Sequence, residues 1–288
     1  MAEVNFVDGQ ALTPSSFGKT DAVTGQWIPK KYSGTYGTNG FYLKFDDSSA
    51  VGKDSSGNGN NWSTSGHSVT PGATYDLMTD VPTLTSATAA NYATLNPLLY
   101  AASYGYRDLT NANLTTIGNS GTNNGNDYST IAFKTGKWYA EFTVTVGTTS
   151  TYPQVGIISV ASAGNGTGQV GYVANSAAYF ADGTKQINSS QTSYGDSYTT
   201  NNVIGVAVDA DNGAIYFSKN GTFQNSGVPT SGASKTGAAW TWTGGSIEFY
   251  MSTAVYTTSN GWHANFGQRA FSSTPPSGFK ALNTFNLP

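Results

Sequence analysis

The chain holds three glutamates, Glu3, Glu141 and Glu248, two histidines, His67 and His263, and no cysteine. Glycoside hydrolysis is the reaction to test first in so polar and aromatic a chain. It needs two carboxylates about 5–5.5 Å or 6.5–9.5 Å apart, one with a raised pKa. Glu141 and Glu248 fall on the polar sides of alternating runs, where a solvated or hydrogen-bonded carboxylate is the ordinary state. Asp209 and Asp211 flank a tight turn and are placed to satisfy backbone amides. His263, beside Trp262 in an apolar run, reads as structural, and His67 lies far from it in the chain. No serine sits in a Gly-x-Ser-x-Gly elbow, and the lack of cysteine removes thiolate chemistry and cysteine-based zinc sites. Asp46, Asp47 and Asp54 invite a calcium reading, because calcium takes oxygen ligands from loops. Their spacing does not match an EF-hand loop, and turn chemistry explains them as well. The sequence therefore asks for no catalytic residue, no metal and no cofactor.

Binding chemistry has better material. In Trp240-Thr241-Trp242 an extended backbone puts both indoles on one side, and glycines bracket the run. Rigid aromatics at a loop tip give large contact area at low entropy cost. Tyr194 and Tyr198, in a Ser/Tyr/Thr-rich stretch, share that character. For all four residues the choice is between ligand contact and packing in a core or subunit interface.

These residues need a scaffold, and composition limits what it can be. Charged residues are 10% of the chain, against roughly 25% in an average soluble protein. Disordered chains combine few aromatics with high net charge, whereas this one is 13% aromatic with a net charge of −3. That balance also lacks the clustered Lys and Arg of a nucleic-acid footprint. The opening MAEVNFVDGQ has no apolar core of a secretory signal, and no run of 18 apolar residues calls for a membrane span.

Residues 1 to about 40 show little periodicity and are punctuated by Pro and Gly, which predicts an extended segment needing a partner to lie against. Phe41-Tyr42-Leu43-Lys44-Phe45 alternates as a half-buried strand, and a turn-rich stretch follows it. From Lys137 the pattern sharpens: Trp138, Ala140, Phe142, Val144 and Val146 form one face, with Tyr139, Glu141, Thr143 and Thr145 on the other. Further strands are predicted at Gln154–Ala161, Val203–Asp209, Ala214–Ser218, Ser246–Ser252 and Trp262–Phe266. Asn212-Gly213 and Asn220-Gly221 read as hairpin turns, since a type I′ turn needs positive φ at both central residues. No segment has a helical period. The expectation is an all-β antiparallel sandwich, with divisions at 1–40, 41–90 and 91–288.

Gly136-Lys137-Trp138-Tyr139-Ala140-Glu141 resembles the opening strand of SPRY domains. Val203 to Asp209 with Gly213 to Gly221 resembles their central hairpin, and Asn265 to Phe271 with Pro276 to Leu282 their closing strand and tail. The three motifs occur in the order of that family, and the resemblance spans roughly residues 91 to 286. It implies a concanavalin A-like fold of two antiparallel sheets that binds proteins or glycans. Gly40 to Phe45, Lys53 to Trp62 and Asn91 to Leu98 resemble forms found in tailed bacteriophages. That second resemblance implies a virion protein, made in the host bacterial cytoplasm and most similar to a receptor-binding tail fibre. Its N-terminal segment would contact other virion proteins, its sandwich a host-surface glycan or protein, and its oligomer would be a homotrimer. No nucleic acid and no membrane insertion are implied. A capsid-decorating head fibre, a polysaccharide-degrading tailspike and a cellular peptide-binding adaptor are the alternatives. The 222–245 region is longer and richer in Ser, Gly and Thr than the family pattern, which puts the details of recognition in doubt.

Overall fold

The computed structural model describes residues 3–20, 27–69, 76–77, 90–100, 106–119, 125–150, 153–164 and 169–287. The chain divides into two compact units, Met1–Asn91 with Gln268–Ala270, and Tyr92–Gly267 with Phe271–Pro288. Among the described residues the only helical turns are short 3₁₀ segments, and no helix is long and apolar enough to cross a membrane.

Among its described residues the first unit has four short strands: β1 (Val4–Phe6), β2 (Gly18–Thr20), β3 (Trp27–Pro29) and β4 (Phe41–Leu43). β1 pairs antiparallel with β4, setting Phe6 opposite Phe41, and β2 pairs with β3. The segment is extended, as its Pro and Gly content predicts, but it brings its own partners. Tyr32, Tyr36 and Tyr42 form a small core covered by Val7, Leu12 and Phe17, with Tyr32 and Tyr36 edge to face at 5.1 Å. The Tyr36 hydroxyl donates to Asn5 Oδ1 at 2.6 Å, and burial pushes its phenol up to about 12. This core overturns part of the expectation for Phe41–Phe45, burying Leu43 as expected but also Tyr42. Phe41 is half-buried, and the strand ends at Leu43 because Phe45 turns to φ 58°.

The second unit is built from β5 (Arg107–Thr110), β6 (Thr115–Gly118), β7 (Gly125–Tyr128), β8 (Lys137–Val146), β9 (Gln154–Ser159), β10 (Ser176–Phe180), β11 (Thr184–Ile187), β12 (Ser190–Ser193), β13 (Val203–Asp209), β14 (Ala214–Lys219), β15 (Thr222–Phe223), β16 (Trp240–Thr241), β17 (Phe249–Val255), β18 (Gly261–Asn265) and β19 (Lys280–Ala281). One sheet runs β15-β14-β13-β8-β18-β6-β5, with β16 added on β14 and β19 on β8; the other runs β12-β11-β10-β9-β17-β7. An aromatic contact between them identifies the layers: Tyr179 of β10 lies 5.6 Å from Phe217 of β14; Tyr198, in the loop before β13, packs 5.8 Å from Trp262 of β18. The fold is the all-β antiparallel sandwich that the alternation predicts, with the two-sheet, concanavalin A-like arrangement that the resemblance implies. Each fully buried large side chain of the shared core, such as Phe142 or Phe217, contributes about 1.5–3 kcal/mol.

Two departures from strict alternation have visible causes. Val146 was expected inward but is exposed. The pairing of β8 with β18 slips between Gly261 and Trp262, and a bulge of this kind turns the following side chain outward. Tyr139 and Glu141 were expected on a polar face, yet both are buried. A second apolar layer covers them, because Tyr139, Ala207, Ala214, Tyr216 and Phe279 cluster beneath Phe223, Ala238 and Phe271.

The turns divide similarly. Asn220 and Gly221 have φ 47° and 85°, the signs that a type I′ hairpin requires. The other turn is a four-residue loop between Asp209 and Ala214, in which Gly213 alone has positive φ, 75°. It is therefore not type I′.

Gly205, on β13, has no room for a side chain. A Cβ there would stand 2.4 Å from Ser218 Oγ and 2.7 Å from the Tyr139 hydroxyl. Gly205→Ala is expected to cost about 1–3 kcal/mol, the usual effect of overpacking. Urea unfolding checks this, and a variant as stable as the parent would show that the cover layer yields.

Candidate functional site

Of the four aromatics singled out from the sequence, Tyr194, Tyr198 and Trp242 are buried and Trp240 is half-buried. Trp240 and Trp242 do lie on one side of the chain, rings 5.0 Å apart. That side faces Phe249, which both rings meet edge to face at 5.8 and 4.9 Å. β16 pairs Trp240 with Ile215 of β14, so a run expected as a free tip becomes an edge strand, and Trp242 is buried. Tyr198 is 1% exposed, and its one hydroxyl proton is shared between the carbonyls of Pro153 and Tyr179, each 2.8 Å away. The Tyr194 hydroxyl accepts from the Phe217 amide, and its ring packs edge to face on Tyr179 and Phe217. Burial holds both phenols well above their ordinary value. Packing accounts for the two tyrosine rings: each hydroxyl finds a backbone partner inside, so its apolar body can be buried.

The carboxylates are likewise engaged by the chain itself. Glu141, 2% exposed, accepts from the amides of Ser272 at 2.7 Å and Ser273 at 2.8 Å, and from the Tyr139 hydroxyl at 3.1 Å. Burial raises its pKa, against the pull of these donors. Its role is to clasp the 272–273 backbone onto β8. Glu248 is exposed. Asp209 accepts from the Asn212 amide and side chain and faces Lys137 Nζ at 3.4 Å, while Asp211 accepts from the Gly136 amide. His263 is buried, with Nδ1 2.6 Å from Thr115 Oγ1.

In the first unit, Asp54 accepts from the amides of Tyr42, Ser56 and Asn60 and from the Ser56 hydroxyl. Burial would raise this carboxyl, but the donors outweigh it and hold it below the ordinary value. Asp46 pairs with Lys44 and Asp47 with Lys53. The three carboxylates are thus turn fasteners turned toward amides and ammonium groups. Among the described residues no three His, Cys, Asp or Glu side chains gather as a metal site. A wide groove of about 820 Å³ runs past Lys53, Asn61, Trp62 and His67 in the same unit.

The polar and aromatic surface that sequence reasoning missed lies on the outer face of the six-stranded sheet. Gln154, Phe180 and Ala254 stand opposite one another in the β10-β9-β17 register and so share a face; Tyr179, next along β10, points to the other sheet. Over this face opens a groove of about 420 Å³, lined by Gln154, Gln169, Tyr172, Phe180, Asp182, Gln191 and Tyr256. Tyr172 and Tyr256 are 43% and 41% exposed, while Gln154 beneath them is 3% exposed. Such a volume, with aromatic walls and few convergent polar groups, is of the size that holds small ligands. Tyr172 and Tyr256 lie outside the periodic strands, so only the fold reveals that they line one groove. The isolated signal was Gln154 opening an otherwise apolar strand.

The SPRY domain family model matches residues 137–240, narrower than the 91–286 span of the sequence resemblance. Two solved structures are similar. The SPRY domain of human HERC1 has 16% identity, covers 58% of this chain and 96% of its own, and gives a TM-score of 0.45. A human SPRY domain has 12% identity, covers 57% and 98%, and gives 0.43. No curated protein matches the chain significantly. The stretch similar to the SPRY domain model, residues 137–240, runs from the first residue of β8 to the first of β16.

Proposed function

We propose that the chain is a non-enzymatic recognition protein, in which the SPRY-bearing sandwich binds a partner and the first unit attaches it to a larger assembly. The observation that carries this reading is an exposed aromatic stack in the first unit. Phe6 lies on Phe41 at 5.3 Å, and Trp62 meets Phe41 edge-on at 5.2 Å, with Phe6 and Trp62 each about half exposed. Contiguous apolar surface rimmed by polar residues marks a protein contact. Glu141, buried and clasped by its own chain, argues against the tailspike-hydrolase alternative.

The resemblance of the leading residues to tailed-bacteriophage forms supplies the finer reading: a virion tail fibre that displays the sandwich for host attachment. Many trimeric copies on one particle would raise a weak individual affinity by avidity. The test uses the full chain with Phe6→Ser and Trp62→Ser together. We expect unchanged melting of the sandwich and a roughly tenfold or greater loss of copies per particle, the scale of an aromatic anchor, counted by mass spectrometry of purified virions. Normal incorporation would overturn the docking role.

A further inference from the structure

We propose that the groove over β9 and β10 binds one neutral hexose unit of a glycan, with Tyr172 and Tyr256 as stacking walls and Gln154 as the polar floor. This deepens the recognition reading above and rests on it.

The floor is the telling feature. Gln154 is almost fully buried, and its Oε1 has no hydrogen-bond partner among the described residues. A buried amide oxygen without a protein partner is costly, and a purely structural position would be better served by an apolar side chain. An incoming hydroxyl would satisfy it, and a half-turn of the amide offers either its oxygen or its nitrogen to the same hydroxyl. Asp182, at the rim, takes the Thr184 amide and hydroxyl on Oδ1, leaving Oδ2 as a second acceptor. Gln191 donates through Nε2 to Thr184 and keeps its carbonyl. These planar groups, set around an open space, suit the paired hydroxyls of a pyranose, which donate and accept from adjacent carbons.

The walls supply the other half. Phe180 closes the bottom, with the Tyr172 ring tilted over it at 6.3 Å. Ring faces pack against the C–H bonds that a hexose turns to one side, and tyrosine does so at low entropy cost. Charge then narrows the class. The lining contains one carboxylate and no Lys or Arg, so uronic acids, sialic acids and phosphates are repelled. A peptide is the poorer occupant, because the lining offers side chains where an extended chain needs backbone partners. Unpaired backbone lies instead along β12, whose four residues are all exposed.

Saturation-transfer NMR on the full chain tests this, with the methyl pyranosides of glucose, galactose and mannose as probes and methyl glucuronide as counter-probe. We expect transfer from at least one neutral glycoside and none from the glucuronide. Tyr172→Ala with Tyr256→Ala should lower the affinity roughly tenfold or more. Gln154→Met should lose binding to a similar degree while melting no earlier than the parent, a combination that a structural glutamine would not give. Equal transfer to parent and tyrosine variant would move the sugar elsewhere and overturn the groove while leaving recognition intact. No transfer from any neutral glycoside, or equal transfer from the glucuronide, would overturn the glycan assignment. Particle attachment of the Phe6/Trp62 variant would still test the wider reading on its own.

Discussion

Arg107→Met is expected to destabilise the second unit by about 3–5 kcal/mol, the cost of orphaning one member of a buried ion pair. Arg107 Nε donates to Asp127 Oδ1 at 2.8 Å, with side chains 8% and 0% exposed. The guanidinium also lies 5.1 Å from the Tyr100 ring centre. Asp127 sits on β7, at the edge of the six-stranded sheet, where water cannot replace the lost charge. Burial already pushes its carboxyl upward despite the pull of Arg107. An acid with a raised folded pKa contributes stability that is present in acid and lost as pH rises through that pKa. Removing Arg107 raises it further, so the penalty should be largest at neutral pH and shrink below it. Urea unfolding at about pH 7 and about pH 5 reads both the size and the trend. Adding Asp127→Asn to the variant should recover part of the loss, since no charge then remains buried alone. A penalty below about 1 kcal/mol at neutral pH would mean that Asp127 is neutral in the parent.

Glu141→Ala should cost about 1–3 kcal/mol, because it removes the buried acceptor that fastens the Ser272 and Ser273 amides to β8. The loss has a local signature. Hydrogen exchange at Ser272 and Ser273 should speed up more than at Phe142 or Val206, whose amides belong to the sheet. Glu141→Gln keeps the shape and one acceptor but turns an N–H toward an N–H, so an intermediate cost is expected. The pH dependence again follows the sign of the shift. Burial raises Glu141 above its usual range, so the advantage of the parent over Glu141→Gln should be greatest in acid and decline as pH rises above the ordinary glutamate value. An advantage that grows with pH would show that the three donors outweigh burial.

The sandwich was legible because its signal is local. In β8, alternation alone separates Trp138, Ala140, Phe142 and Val144 from their neighbours, and the inner face they form is the one observed. What escaped depends on distant chain. Nothing near Tyr139 and Glu141 announces that residues 271–281 fold back over them, so a buried face reads as a polar one. Trp240-Thr241-Trp242 failed in the same way: the spacing gave the common side correctly, but only its pairing with β14 decides that this side faces Phe249. The candidate groove was invisible for a related reason. Its walls come from residues outside the periodic strands and its floor from a strand, brought together by the fold and by no spacing in the sequence.

The arrangement around β8 also sets an order of events during synthesis. β8 occupies residues 137–146, and its hydrogen-bonding partners are β13 at 203–209, β18 at 261–265 and β19 at 280–281. On the ribosome this strand emerges well before any of them, with Trp138 and Phe142 uncovered. Its edges stay open until the last partner has left the exit tunnel, and pairings that close such long stretches of chain are slow to form. A nascent chain held in that state offers unpaired strand edges to its neighbours, so crowded translation, rather than the finished sandwich, is where this protein is most exposed to aggregation.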